Sequence, residues 1–319
     1  VAGLSPGRYA LRRLLVGVLQ VFAVATAVFL LTEALPGDAA VALAGDNPDP
    51  ARIEQIRRVM RLDQPLAERF ADWLGGLFRF DLGVSLVSQR PVTAFLTDGL
   101  APTMLLAALT LLVLVPVAVL LGVVAAVREG SPLDRAVTTV SVGLHAIPEF
   151  ALAIVLVAVF GVQLRWLPPT AVGVGDNLLR QPAVLVLPLV VLLARPICSI
   201  SRLVRAGMIE ALHADYVRHA RRLGLSPGRV RLRHALPNAV AAAVPQLAHT
   251  TDWLLGGVIV VEAVFVIPGL GTTLVDAVAA RDLPVVQGLV VFFAVTTVLV
   301  NLVADIVSFR LSPRTEVVR

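Results

Sequence analysis

Apolar and polar positions alternate along this chain on the length scale of a lipid bilayer. Crossing roughly 30 Å of hydrocarbon takes about 20 mostly apolar residues in a helix. Six stretches reach that length, at residues 11–35, 102–127, 136–162, 183–203, 239–267 and 285–309. The pattern predicts an all-α, polytopic membrane protein with six transmembrane helices. Residues 36–100, between the first and second spans, mix both charge signs and read as a small extramembrane domain. Within it Asp49-Pro50 has the form of a helix N-cap followed by proline at the first helical position, and Ile53, Ile56, Val59 and Met60 recur at helical spacing. That stripe is expected to pack on the domain's own small core. The first apolar run follows Arg8, Arg12 and Arg13 but is longer than the roughly 7–15 apolar residues of a cleavable signal. Leu35-Pro36-Gly37 follows it instead of a small-residue cleavage site, so it reads as a retained first span.

Composition sharpens this picture. Of the 319 residues 57% are hydrophobic, against about 45–50% for soluble domains. The net charge is +5, and every basic side chain is arginine, because the chain contains no lysine. A Walker A loop needs a lysine to reach the β- and γ-phosphates, so this chain does not bind ATP by that route. The arginines sit at the ends of apolar runs, which argues against a nucleic-acid surface. They also set an orientation, since retained positive charge in short loops marks the cytoplasmic side. With the N-terminus inside, the inside segments hold Arg128 and Arg135, then Arg202, Arg205, Arg218, Arg221, Arg222, Arg229, Arg231 and Arg233, then Arg310, Arg314 and Arg319. The short outside loops hold Arg165, Arg180 and Arg281. Both termini are therefore expected in the cytoplasm, with residues 36–100 on the opposite side of the membrane.

Candidate chemistry is sparse. Cys198 lies inside an apolar run and reads as a small buried hydrophobe. The five histidines show no metal-ligand spacing, and no nucleophile–base–acid constellation stands out, so neither a catalytic nor a metal site is expected. Residues 202–240 carry the most information. Residues 208–223 have helical propensity, Gly224 supplies a stop, and Ser226-Pro227-Gly228 turns the chain into a second helical start. Such a polar knob on the cytoplasmic side suits the transfer of force from a soluble partner.

The stretch Asp215-Tyr216-Val217-Arg218-His219-Ala220-Arg221-Arg222-Leu223-Gly224-Leu225, followed by Arg233-His234-Ala235-Leu236-Pro237-Asn238, resembles the coupling loop of permeases of binding-protein-dependent ABC importers in the dipeptide, oligopeptide and nickel branch. The general pattern is Glu-Ala-Ala, three residues, Gly, then about nine residues to Leu-Pro; here Ala220, Gly224 and Leu236-Pro237 fit it, and Arg218 stands where the general pattern has glutamate. The resemblance continues at Leu35-Pro36-Gly37-Asp38, at Arg61-Leu62-Asp63-Gln64-Pro65-Leu66 and at Phe80-Asp81-Leu82-Gly83-Val84-Ser85. It resumes at Val261-Glu262-Ala263-Val264-Phe265-Val266-Ile267-Pro268-Gly269-Leu270-Gly271 and at Arg281-Asp282-Leu283-Pro284-Val285-Val286-Gln287-Gly288. The large segment after the first span resembles the B-type subunit.

The resemblance implies a type I ABC importer permease fold, with residues 1–100 as first helix plus extracytoplasmic domain and residues 101–319 as the permease core. It implies a coupling loop at 206–238 in which Asp215, Tyr216, Arg218, Ala220, Gly224, Leu225, Leu236 and Pro237 meet the ATPase. It also implies a second permease, two cytoplasmic ATPase subunits that hold ATP and Mg, and an extracytoplasmic solute-binding protein. This chain itself would hold no cofactor. Peptides or related small solutes are the implied cargo.

Charged groups inside apolar spans are costly and mark either a solute path or structural pairing. Glu149 and His145 in the third span, Arg195 in the fourth, Asp252 and Glu262 in the fifth and Asp305 in the sixth are the candidates; Glu149, Asp252 and Glu262 are expected at the path or a gate. Glu262 is expected near the outer end of its span, where a carboxylate can still reach water or a donor on the partner permease. The competing function is an ion-gradient-driven secondary transporter, which would carry its own coupling-ion site and internal repeats; no convincing repeat is visible.

Overall fold

The computed structural model describes the backbone at residues 6–34, 49–59, 63–174 and 178–311. The described residues are helical throughout, apart from turns and an isolated bridge between Val84 and Pro91. The helices are α1 (Pro6–Glu33), α2 (Pro50–Val59), α3 (Leu66–Phe78), α4 (Val92–Val127), α5 (Pro132–Ala146), α6 (Glu149–Leu156), α7 (Ala183–His213), α8 (Asp215–Arg222), α9 (Pro227–Val230), α10 (Leu236–Phe265), α11 (Leu270–Ala279) and α12 (Leu283–Leu311). Two π-helical stretches extend them, Val157–Gln163 after α6 and Arg231–Ala235 between α9 and α10.

Within α1, α4, α7 and α12 lie segments long and apolar enough to cross a membrane, and two further candidates are broken pairs. The pair Pro132–Ala146 and Glu149–Gln163 is bent by 104°, so the third apolar run is not a straight span. The cause is local: Pro148 disfavours helical backbone at Ile147, and both residues are extended, at ψ 126 and 143. The other pair, Gly256–Phe265 and Leu270–Ala279, flanks the Val266–Gly269 turn. The fourth run continues well past 203, because α7 stays helical to His213 although hydropathy falls at Arg202 and Arg205. Pro188 and Pro196 lie inside it.

The chain divides into two compact units. The first comprises Val1–Ala10, Met104–Ile267 and Val300–Arg319. Its core is the seam of α7 with α10, where Leu187, Val191 and Leu192 pack with Leu254, Val258, Val261 and Phe265, joined by Leu106 and Ala153. Helices in lipid associate through close packing of small residues rather than by a hydrophobic drive. Gly122 and Gly207 make such approaches. A Cβ on Gly122 of α4 would stand 2.7 Å from the Ser201 carbonyl oxygen of α7, and one on Gly207 of α7 would stand 3.1 Å from Ala239 Cα of α10.

The second unit comprises Leu11–Thr103 and Pro268–Leu299. Asp49 caps α2 as the sequence predicts, with its Oδ1 accepting from Ala51 N at 3.0 Å. Side chains at 56, 59 and 60, most of the predicted stripe, lie outside the described residues. Arg69 of α3 grips Glu33 of α1 through two bonds of 2.9 and 2.5 Å, beside a cluster of Phe29, Phe70 and Trp73. Buried Asp282 accepts from Ser85 Oγ at 2.5 Å and from Leu86 N at 3.1 Å. Two motifs nearly two hundred residues apart in the chain thus meet, and a carboxylate at their junction holds the 83–91 turn.

Candidate functional site

Ala214, with ψ 151, breaks the chain between α7 and α8. Asp215 opens α8, and His219, Arg221 and Arg222 close it, so both ends complement the helix dipole. The helix stops in a Schellman motif: Gly224 N donates to Arg221 O at 3.0 Å and Leu225 N to Ala220 O at 3.3 Å. Gly224 takes the left-handed conformation this requires, φ +80, and a Cβ there would meet nothing within 4 Å. The glycine predicted as a stop is therefore needed for its backbone and not for space. The apolar contact that accompanies such motifs is present, since Leu225 packs on Ala220, Val217 and Val230. These residues form a small core of the knob's own.

The second helical start also exists, as α9 beginning at Pro227, but it does not remain a separate helix. It runs through the π-helical stretch Arg231–Ala235 directly into α10, with Pro237 in the first turn of that helix. Asn238 Nδ2 donates to Tyr216 Oη and to the His234 carbonyl, both at 2.9 Å, tying α8 to the start of α10. Of the sequence-predicted residues, Asp215, Tyr216, Arg218, Gly224 and Pro237 are exposed, Leu225 and Leu236 are half-buried, and Ala220 is buried. Arg218 pairs with Asp215 one turn away, both largely solvated. Tyr216, Leu223 and Leu232 are large side chains left open on the knob's surface among the arginines.

The sequence reading missed what anchors this knob. Ser131 caps α5 by accepting from Asp134 N at 3.2 Å, and Pro132 occupies the first turn. That cap sets Asp134 against α7, where Arg205 Nε and a terminal nitrogen donate to its two oxygens at 2.6 and 2.7 Å; Gly130 N donates to the second at 2.9 Å. Asp134 is 3% exposed. The bidentate pair joins the α4–α5 turn to the helix that carries α8. No local pattern announces a pair separated by 71 positions, though Ser-Pro-x-Asp does announce the cap.

Glu149 opens α6, and its Oε1 lies 3.9 Å from an Arg195 guanidinium nitrogen. Arg195 also lies over the Trp253 ring, 5.8 Å from its centroid. The Asp252 side chain lies outside the described residues. Glu262 does not reach water: it is 0% exposed and is engaged by neighbouring groups, while its carbonyl accepts from Ile267 N at 3.0 Å. The turn that follows is tight, with Val266 in the left-handed conformation at φ +53. Asp305 is half-buried and has an interaction of its own. Among the described residues no group of histidine, cysteine, aspartate or glutamate is placed to hold a metal.

Comparison with known proteins accords with this architecture. Residues 118–317 match the family described as "Binding-protein-dependent transport system inner membrane component". Residues 7–108 match "Binding-prot-dependent transport system membrane comp, N-term". A Brucella abortus protein named for a peptide transport system permease is 38% identical over 292 residues, covering 91% of this chain and 93% of that one. The "Probable peptide ABC transporter permease protein" of Sinorhizobium fredii is 34% identical over 309 residues, covering 97% and 99%. The glutathione transport system permease protein GsiC of Escherichia coli K12 is 36% identical over 305 residues, covering 96% and 97%.

Proposed function

This chain belongs to the family of binding-protein-dependent transport system inner membrane components, and from that premise we propose that residues 215–237 are the surface it seats in a groove of a cytoplasmic ATPase subunit. The chain is a multi-pass inner-membrane permease of an ATP-driven importer, a role that brings ATPase and binding-protein partners and a second permease. Its cargo is a peptide or a related small solute, which its relatives' names support. The finer reading is six spans, with both termini cytoplasmic and residues 36–100 outside the cell, seating the solute-binding protein; the arginine asymmetry supports it. Residues 101–319 form the core that builds the path with the second permease. Two ATPase subunits hold ATP and Mg, and this chain supplies no catalytic group.

The observation that carries the docking assignment is the construction of the knob. Val217, Ala220, Leu225 and Val230 are satisfied internally, whereas Tyr216, Arg218, Leu223, Leu232 and the neighbouring arginines remain open to be covered by another protein. A cysteine introduced in place of Leu223, in a Cys198→Ala background, should cross-link to an ATPase subunit in the assembled transporter, with a yield that changes with nucleotide. Uptake should require ATP and every subunit. Uptake driven by an ion gradient through this chain alone would overturn the reading in favour of a secondary transporter.

A further inference from the structure

A cavity of about 230 Å³ is lined by His145, Arg195, Ser199, Gln246, His249 and Trp253, contributed by α5, α7 and α10. Arg195 belongs to a helix that is otherwise apolar around it, and its side chain is 47% exposed. A guanidinium carries five N–H donors, yet among the described residues none of Arg195's makes a hydrogen bond. Its nearest carboxylate, on Glu149, is a long 3.9 Å away. Glu149 is held there by other constraints. It lies in the first turn of α6, where a carboxylate complements the helix dipole, and its Oε2 occupies space that a Cβ on Gly257 would reach to within 3.0 Å. Glu149 therefore steadies the arginine electrostatically without using up its donors. On the same cavity wall, His145 keeps a buried Nδ1 with no partner among the described residues.

An arginine inside a membrane-spanning helix is retained where it meets water, a partner or a ligand. The planar fork of donors fits a carboxylate bidentately, and the guanidinium stands over the Trp253 ring, 5.8 Å from its centroid. The cavity is smaller than the roughly 300–1,000 Å³ of sites that enclose a whole small molecule, so it takes one end of a solute. We propose that Arg195, seated on Trp253, is a transient recognition site on the transport path for the free carboxylate of the solute, in a peptide its C-terminal carboxylate. The identity of the solute as a peptide rests on the importer reading above; the preference for a carboxylate rests on the cavity.

The test is protection of a thiol placed in the cavity. In the complete transporter in nanodiscs, with Cys198→Ala and Ser199→Cys, labelling by a small methanethiosulfonate is timed with tri-alanine or with its C-terminal amide. Tri-alanine should slow labelling about threefold at a concentration of roughly twice the dissociation constant, and the amide should not. Arg195→Gln should abolish the protection and Arg195→Lys should keep part of it. Equal protection by the amide, protection that survives Arg195→Gln, or an introduced thiol that never labels would each overturn the site. The last outcome would mean that another subunit covers the cavity. ATP-dependent uptake of tri-alanine by the same transporter reconstituted in sealed proteoliposomes reports separately on the importer reading, so protection without uptake would sink the peptide cargo and leave the carboxylate site standing.

Discussion

The lower half of α7 and the α8–α9 knob are joined through a single extended residue, Ala214, and they are built in opposite ways. On the α7 side three elements press in: Gly122 of α4 against the Ser201 carbonyl, Asp134 of α5 clasping Arg205, and Ala239 of α10 against Gly207. Past Ala214 the knob relies on four apolar side chains of its own and one hydrogen bond from Asn238 to Tyr216. The stalk is specified by close approach and a buried charge, so small changes there have nowhere to go. The knob is specified by backbone conformation and leaves its side chains to solvent. This difference separates holding from touching: a body that receives force needs a rigid mount, and its face must stay uncommitted until a partner arrives.

Four substitutions test that contrast. Arg205→Met should have the largest effect, because it leaves Asp134 buried without its counter-charge; discounting the pair for the arginine's partial exposure, a loss of about 2–4 kcal/mol is expected. It should be read as a lower midpoint in thermal denaturation of the purified complex, with Asp134→Asn/Arg205→Met recovering part of it. Gly122→Ala comes next at about 1–3 kcal/mol, since a backbone carbonyl must move to admit one methyl group. The same assay checks it, and normal stability would show that α4 and α7 are not held this closely. Gly224→Ala should cost about 1–2 kcal/mol, all of it from left-handed backbone. Because nothing lies near the added Cβ, its structural effect should be local: faster amide exchange over residues 215–225 and reduced coupling of ATP hydrolysis to uptake. Arg218→Ala should change stability by less than about 0.5 kcal/mol, as an exposed pair within one helix contributes little. If it nevertheless lowers ATPase-coupled uptake, the loss reports docking. If stability falls as far as in Arg205→Met, the contrast between stalk and knob fails.

Much of this was legible beforehand, for identifiable reasons. Apolar length found the helices, since lipid imposes one requirement everywhere. Gly224 and Asp49-Pro50 marked their ends, because cap chemistry is local. Breaks and extensions were harder. Pro148 carries the signal for the bend between α5 and α6, but an unbroken apolar count runs over it. The extension of α7 to His213 hides behind Arg202 and Arg205, which end a hydropathy window without ending a helix. The distance of Glu262 from Pro268-Gly269 gives its position along the helix but not what surrounds it, so its burial within this chain had no local sign. Asp134–Arg205, Ser85–Asp282 and the gathering of His145 and Arg195 with Trp253 depend on tertiary juxtaposition, for which the chain offers no nearby sign.

The π-helical stretch Arg231–Ala235 fixes the rotational phase between α9 and α10. A π turn accommodates one residue more than the α-helix it interrupts, and one residue of α-helix corresponds to about 100° of rotation and 1.5 Å of rise. Deleting a single residue between 231 and 235 would let the stretch relax into ordinary helix, and the knob would swing by about that angle around the α10 axis. Its own small core would survive, but Tyr216 would leave Asn238 and the arginine face would point elsewhere. A gear with all its teeth would then be mounted out of register, so a one-residue deletion at this joint should be more damaging than any single side-chain change on the knob.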